Sequence, residues 1–144
     1  MAQTLRQEIT FSAPPGMLFG IYMASKAHAE ATGAKASISH RAGGTFMAHA
    51  GHIRGRNLAI VRDRLIVQTW RGSNWKEDDL DSILVLRFSK AGTGGRVSMV
   101  HVNVPDAHAK SINRGWHQYY WKPWKAYLKT RALPASRRAG RATR

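Results

Sequence analysis

The chain has 144 residues, 43% of them hydrophobic, no cysteine and a formal net charge of +15. This suits one domain with its own core, and it excludes disulfides, a thiol nucleophile and any cysteine-held metal. The first eleven residues lack the apolar run of a secretory leader. No stretch approaches the ~20 apolar residues that a membrane-spanning helix needs, so a cytoplasmic protein without a membrane span is expected.

Residues 4–11 alternate. Leu5, Ile9 and Phe11 share a face with Gln7, opposite Arg6, Glu8 and Thr10, the pattern of a half-buried strand. Pro14-Pro15 suits a helix's first turn, and Met17, Leu18, Ile21 and Tyr22 form the apolar side of a short helix. Ser25 can cap a second one ending near Thr32, with Gly33 in the left-handed position beyond it. Six short strands follow, at about 36–40, 45–49, 53–61, 64–71, 82–89 and 96–104, separated by glycine-rich or polar turns. Connections this short leave no room for crossover helices and make the sheet antiparallel, in an α+β domain. In 53–61, Ile53 and Gly55 lie on one face but Leu58 and Ile60 on the other; a bulge near Arg56-Asn57 restores the phase and bends the sheet.

Pro105-Asp106 marks the start of a last, long helix, with Asp106 as N-cap. Residues 115–128 hold six aromatic side chains. On a helical wheel Ile112, Trp116, Tyr119, Tyr120, Pro123, Trp124, Tyr127 and Leu128 fall on one side, and Trp121 falls off it. An exposed Trp121 would mark a partner or dimer contact, the alternative being that it packs on the short helices. Pro123 lacks an N–H and clashes with the carbonyl of Tyr119, so a bend is expected. Six of the 23 basic residues lie from Lys129 onward with no acidic residue among them. Residues 1–130 are therefore read as the domain and 131–144 as a basic, disordered tail.

Phe11-Ser12-Ala13-Pro14-Pro15, Thr32-Gly33-Ala34, Gly43-Gly44-Thr45-Phe46, Arg64 through Arg71, Asn74-Trp75 and Gly115-Trp116 through Tyr127-Leu128 occur in an order that resembles a known pattern. It is the helix-grip fold of the START-like, birch-pollen-allergen-like superfamily (SRPBCC). Within it the chain is similar to the bacterial family related to the C-terminal domain of the heat-shock ATPase activator Aha. The resemblance spans about residues 3–129. It implies a curved seven-stranded antiparallel sheet around a long C-terminal helix, two short helices after the first strand, and a cavity between helix and sheet. It implies no single activity, since members include lipid carriers and cyclase-like enzymes. Eukaryotic activators carry a separate N-terminal domain that contacts the chaperone, for which 144 residues leave no room.

The expected cavity lies between Trp116 and Tyr120 on the helix and a wall of Phe46, Trp70, Leu84, Leu86 and Met99, with His101 as the polar group that orients a ligand. The bland alternative is that these aromatics fill the core and that His101 is a satisfied buried histidine. His40, His49 and His52 have no carboxylate close in sequence and read as exposed polar residues rather than a metal site. Glu77, Asp78, Asp79 and Asp81 crowd one solvated loop, and no acid/base pair or phosphate-binding loop is recognisable. Arg41, Arg54, Arg56, Arg62, Arg64 and Arg71 stand nearly unopposed and read as a solvated basic face. With no aromatics among them, nucleic-acid binding is expected to be weak and non-specific. The function expected is non-catalytic binding of a hydrophobic or amphipathic small molecule, with no cofactor or metal. A cyclase- or hydrolase-like enzyme using the same cavity is the alternative. A chaperone-associated or basic interaction module, with a chaperone or a second copy as partner, is the next.

Overall fold

The computed structural model describes residues 1–131. Strand β1 (Ala2–Phe11) is followed by helices α1 (Pro15–Met23) and α2 (Ser25–Thr32). Strands β2 (Ser37–Ile38), β3 (Thr45–Ala48), β4 (Ile53–Val61), β5 (Leu65–Gly72), β6 (Ser82–Ala91) and β7 (Gly94–Pro105) come next. Helix α3 (Asp106–Gly115) continues into a π-helical segment, Trp116–Trp121, and then into α-helix over 122–131. The strands form one antiparallel sheet in the order β1-β7-β6-β5-β4-β3-β2, so each joins its neighbour in sequence except β1, which closes onto β7.

The local signals act as their chemistry dictates. Pro15 occupies the first turn of α1 behind Pro14, where its missing N–H has no partner to lose. Gly33 ends α2 with φ 80° and its N–H on the carbonyl of Ala29. Two caps differ from expectation. Ser25 and Asp106 are the first helical residues rather than N-caps, and neither side chain caps its helix. Each serves a tertiary bond instead: Ser25 Oγ accepts the Ile38 N–H at 2.8 Å, and Asp106 accepts from Gln3 Nε2 at 2.9 Å.

The bulge in β4 falls between Asn57 and Ala59. Asn57 pairs with Gln68 and Ile60 with Ile66, both partners on the inner face, while Leu58 is the extra residue, 48% exposed. One added residue thus returns Ile60 to the core side. On that side Phe46, Ile66, Trp70, Leu84, Leu86, Phe88, Val97 and Met99 form one cluster with the helices.

The long helix departs most from the wheel. In the π-helical segment the Lys122 N–H reaches the carbonyl of His117, five residues back. This wider turn immediately precedes Pro123, whose ring a regular α-turn would press against the Tyr119 carbonyl. One extra residue in the turn rotates everything after it by about 100°. Trp121 therefore turns inward, 2% exposed, while Tyr119 turns out, 52% exposed. Trp121 is buried within its own chain. Its indole N–H donates to Gln7 Oε1 at 2.7 Å, and its ring packs on Trp116, Trp124 and Phe11. It rests on β1 rather than on the short helices.

Candidate functional site

Most of the space between helix and sheet is occupied by side chains. Tyr120 lies 4.6 Å from Trp116, ring centre to ring centre, and Trp116 lies 6.2 Å from Trp70. Leu84, Leu86 and Met99 are buried beneath them. The enclosed cavity expected there is replaced by a half-open cleft of about 750 Å3 at one edge. It lies between the long helix, the loop after β5 and the tip of the β3–β4 hairpin. Of the eight residues expected to line a cavity, Trp70, Trp116 and Tyr120 border this cleft; Phe46, Leu84, Leu86, Met99 and His101 do not. Ile53, Ile112 and Tyr119 complete its apolar walls, and His49, His52, Asn74, Ser111, Arg114 and Gln118 supply polar groups.

His101 is already fully engaged. The Trp116 indole N–H donates to its Nδ1 at 3.2 Å, so the ring proton sits on Nε2 and is donated to Ser82 Oγ, 2.7 Å away. Ser82 in turn donates to the Trp70 carbonyl at 2.7 Å. No ring nitrogen is left for a ligand, and burial holds the imidazole neutral, with a pKa lowered to about 3. Ser82 is equally committed and is no nucleophile.

A second buried polar chain was not legible in the sequence. His28 donates from Nδ1 to the Tyr22 carbonyl at 2.8 Å and accepts the Tyr120 hydroxyl on Nε2 at 3.1 Å. Burial lowers its pKa to about 4. The Tyr22 hydroxyl donates to Gln68, whose amide donates to Asn57 Oδ1, and Asn57 donates to the carbonyls of Ser39 and Arg41. Tyr120 thus shows its ring to the cleft while its hydroxyl is held inside.

The hairpin tip that forms one wall is strained. His49 and Ala50 have φ of 51° and 56°, ahead of Gly51 at 99°. Two consecutive non-glycine residues in the left-handed region are costly, and such strain collects at functional sites. The turn sets the His49 ring against Tyr119 and Tyr120, at 5.9 and 5.2 Å. Burial lowers the His49 pKa, with the neighbouring His52 adding to the effect. His52 bonds through Nδ1 to Ser73 Oγ at 2.9 Å. Trp75, from the loop after β5, is buried against Trp70 and stacked on His108. The Trp70 indole N–H is buried without a partner among the described residues. Among the described residues no carboxylate lines the cleft, so its histidines have no acid to orient them. The cleft therefore combines apolar wall surface with several hydrogen-bonding side chains.

A sheet wrapped beside a helix with a cleft at their open edge is an arrangement found in known proteins. The family model for the Activator of Hsp90 ATPase homolog 1-like protein matches residues 12–129. The chain belongs to this family. It is 25% identical over 113 residues to the human Activator of 90 kDa heat shock protein ATPase homolog 1, covering 78% of this chain and 33% of that protein. It is 26% identical over 121 residues to an uncharacterised protein of Schizosaccharomyces pombe, covering 84% and 36%. The chain spans about a third of the length of the curated relatives it matches. Among solved structures, an HSP90 activator from Plasmodium falciparum superposes with a TM-score of 0.81 at 21% identity, over 88% of this chain and 96% of that one. The Aha1 dimer from Colwellia psychrerythraea gives 0.72 at 14%, over 86% and 95%. The helix-grip fold is therefore the family's. Among the described residues no helix is long and apolar enough to cross a membrane.

Proposed function

We propose that this protein binds an amphipathic small molecule, without catalysis, in the cleft between the long helix and the β3–β4 hairpin tip. The observation that carries the reading is the cleft itself: aromatic walls from Trp70, Trp116, Tyr119 and Tyr120, with a few polar groups among them, His49, His52, Asn74 and Gln118 included. Such a site gains from burying apolar ligand surface and orients the ligand by a few polar contacts. Titration of the full chain with a fluorescent fatty acid, followed by quenching of tryptophan emission, is the test. Saturable quenching that a Tyr119→Arg variant loses supports the reading. A folded protein that quenches with no such probe overturns it.

The family match supports a second reading, a chaperone-associated role, because relatives named as activators of the 90-kDa heat-shock protein ATPase share this domain. Its test is the ATPase rate of a purified 90-kDa heat-shock protein with and without the full chain. A rate that does not change at saturating chain, with no complex detected by sedimentation, removes it.

A further inference from the structure

The outer face of the sheet, opposite the helices, carries a band that no element among the described residues covers. The register places Ala59, Val67, Val85 and Val100 in one row across β4, β5, β6 and β7. Ile83 and Val102 lie beside them in the next row. On the other side Val61 pairs with Leu65, and Val61 is 47% exposed. These side chains alternate with the buried inner ones and are left half-buried or exposed. At strand and row spacings the band measures roughly 15 Å in each direction. Arginines frame it. Arg6 ends the valine row, Arg87 follows Leu65, and Arg54 pairs with Arg71 at the hairpin side, next to Arg56. Glu8 is held by Arg96 at 3.5 Å and Asp81 by Arg71 at 3.2 Å. Among the described residues Arg6, Arg54, Arg56 and Arg87 have no carboxylate partner.

We infer that this face docks an acidic protein partner, one that sets apolar side chains on the valine band and carboxylates on the arginine rim. An apolar centre inside an arginine-bearing rim is the anatomy of a protein interface. The other occupants fit less well. A second copy laid on the same face would set arginines against arginines. Single-stranded nucleic acid is met by aromatics among the charges, of which this face has none, and a duplex backbone is met by charge alone, which leaves the apolar centre unused. A lipid surface is entered by Trp, Phe or Leu on an amphipathic helix, not by valines on a sheet face. The surface is separate from the cleft and stands whether or not the cleft holds a ligand.

The test is an NMR titration of the isotope-labelled full chain with a ten-residue peptide alternating Glu and Leu. The same peptide with Lys for Glu is the control. Shifts at the amides of Val67, Val85, Val100 and Val102, seen with the acidic peptide alone, are expected. Arg54→Glu with Arg56→Glu, both exposed and away from the core, should weaken binding at least tenfold while the melting temperature stays within a few degrees. Val85→Lys should do the same; if it unfolds the chain, the arginine pair decides. The inference is overturned if shifts appear only at the cleft or at residues 132–144, or if the arginine pair changes nothing. It is equally overturned if phosphatidylserine vesicles or a DNA duplex occupy the face and the peptide does not, or if sedimentation shows the face buried in a homodimer.

Discussion

The indole N–H of Trp116 donates to Nδ1 of His101 at 3.2 Å, joining the long helix to strand β7 through two fully buried groups. The bond requires a neutral imidazole, because a protonated ring has no lone pair to accept it. His28 is neutral for the same reason of burial, with its Nε2 accepting from Tyr120.

These two histidines make stability depend on pH. Their folded pKa values, about 3 and about 4, lie below the ordinary 6.5 of the unfolded chain. Above pH 6.5 neither state binds the protons and stability is full. As pH falls below 6.5 the unfolded chain takes up protons that the native state refuses, and stability drops by up to about 1.4 kcal/mol per pH unit for each histidine. The loss continues down to the folded values. Urea denaturation at pH 7 and pH 5 measures it. The expected loss is a few kcal/mol, and a His101→Phe variant, less stable at pH 7, should show a shallower slope. Equal midpoints at both pH values would contradict the neutral, buried state of the two rings.

The π-helical turn makes a prediction that a regular helix reverses. Trp121→Ala removes a buried indole together with its bond to Gln7, and should cost about 3–5 kcal/mol. Tyr119→Ala, on an exposed side chain, should cost well under 1 kcal/mol. On an unbroken helical wheel the larger loss belongs to Tyr119. Thermal or chemical unfolding of the two variants separates the cases directly.

Gly55 sits where β4 crosses beneath Phe46. A methyl group built there meets Phe46 Cε1 at 2.6 Å and overlaps the Thr69 carbonyl. Gly55→Ala should therefore destabilise by at least about 1–3 kcal/mol, the range for overpacking, since backbone cannot move aside as a side chain can. The strand's neighbouring surface position, Arg54→Ala, should be nearly neutral and serves as the control.

Periodicity reveals a fold wherever each element keeps a constant phase. That is why β1, both short helices, six further strands and even the β4 bulge were legible: each is announced by a proline, a glycine or a break in alternation. The long helix was not, because a π-turn is invisible to a wheel drawn at a fixed angle. Pro123 is the one signal, and a proline inside a helix announces a bend rather than a π-turn. The polar interior was hidden for a different reason. Ser82 and His101 are brought together by the pairing of β6 with β7, and His28 meets Tyr120 across 92 residues. His101 alternates with Val97 and Met99 and so reads as inward-facing, but nothing local names its partners, and nothing local distinguishes Ser82 or His28 from surface polar residues. The strained His49-Ala50 tip has only a weak sequence signature, since histidine is enriched at positive φ but alanine is not.

The location of the proposed ligand can be tested by filling two different places. Leu84 is completely buried in the core and does not line the cleft. Leu84→Trp should overpack that core and cost about 1–3 kcal/mol. If the variant stays folded, its affinity for an apolar probe should change little. Ile53 is half-buried and borders the cleft, opposite the face of the long helix that carries Ile112 and Trp116. Ile53→Trp projects its extra volume into open space, so it should leave stability within about 1 kcal/mol and reduce probe affinity tenfold or more. The two measurements to compare are the unfolding midpoint and the probe dissociation constant for each variant. The opposite pattern, with binding lost in Leu84→Trp at unchanged stability and retained in Ile53→Trp, would move the ligand into the interior between Tyr120 and Met99.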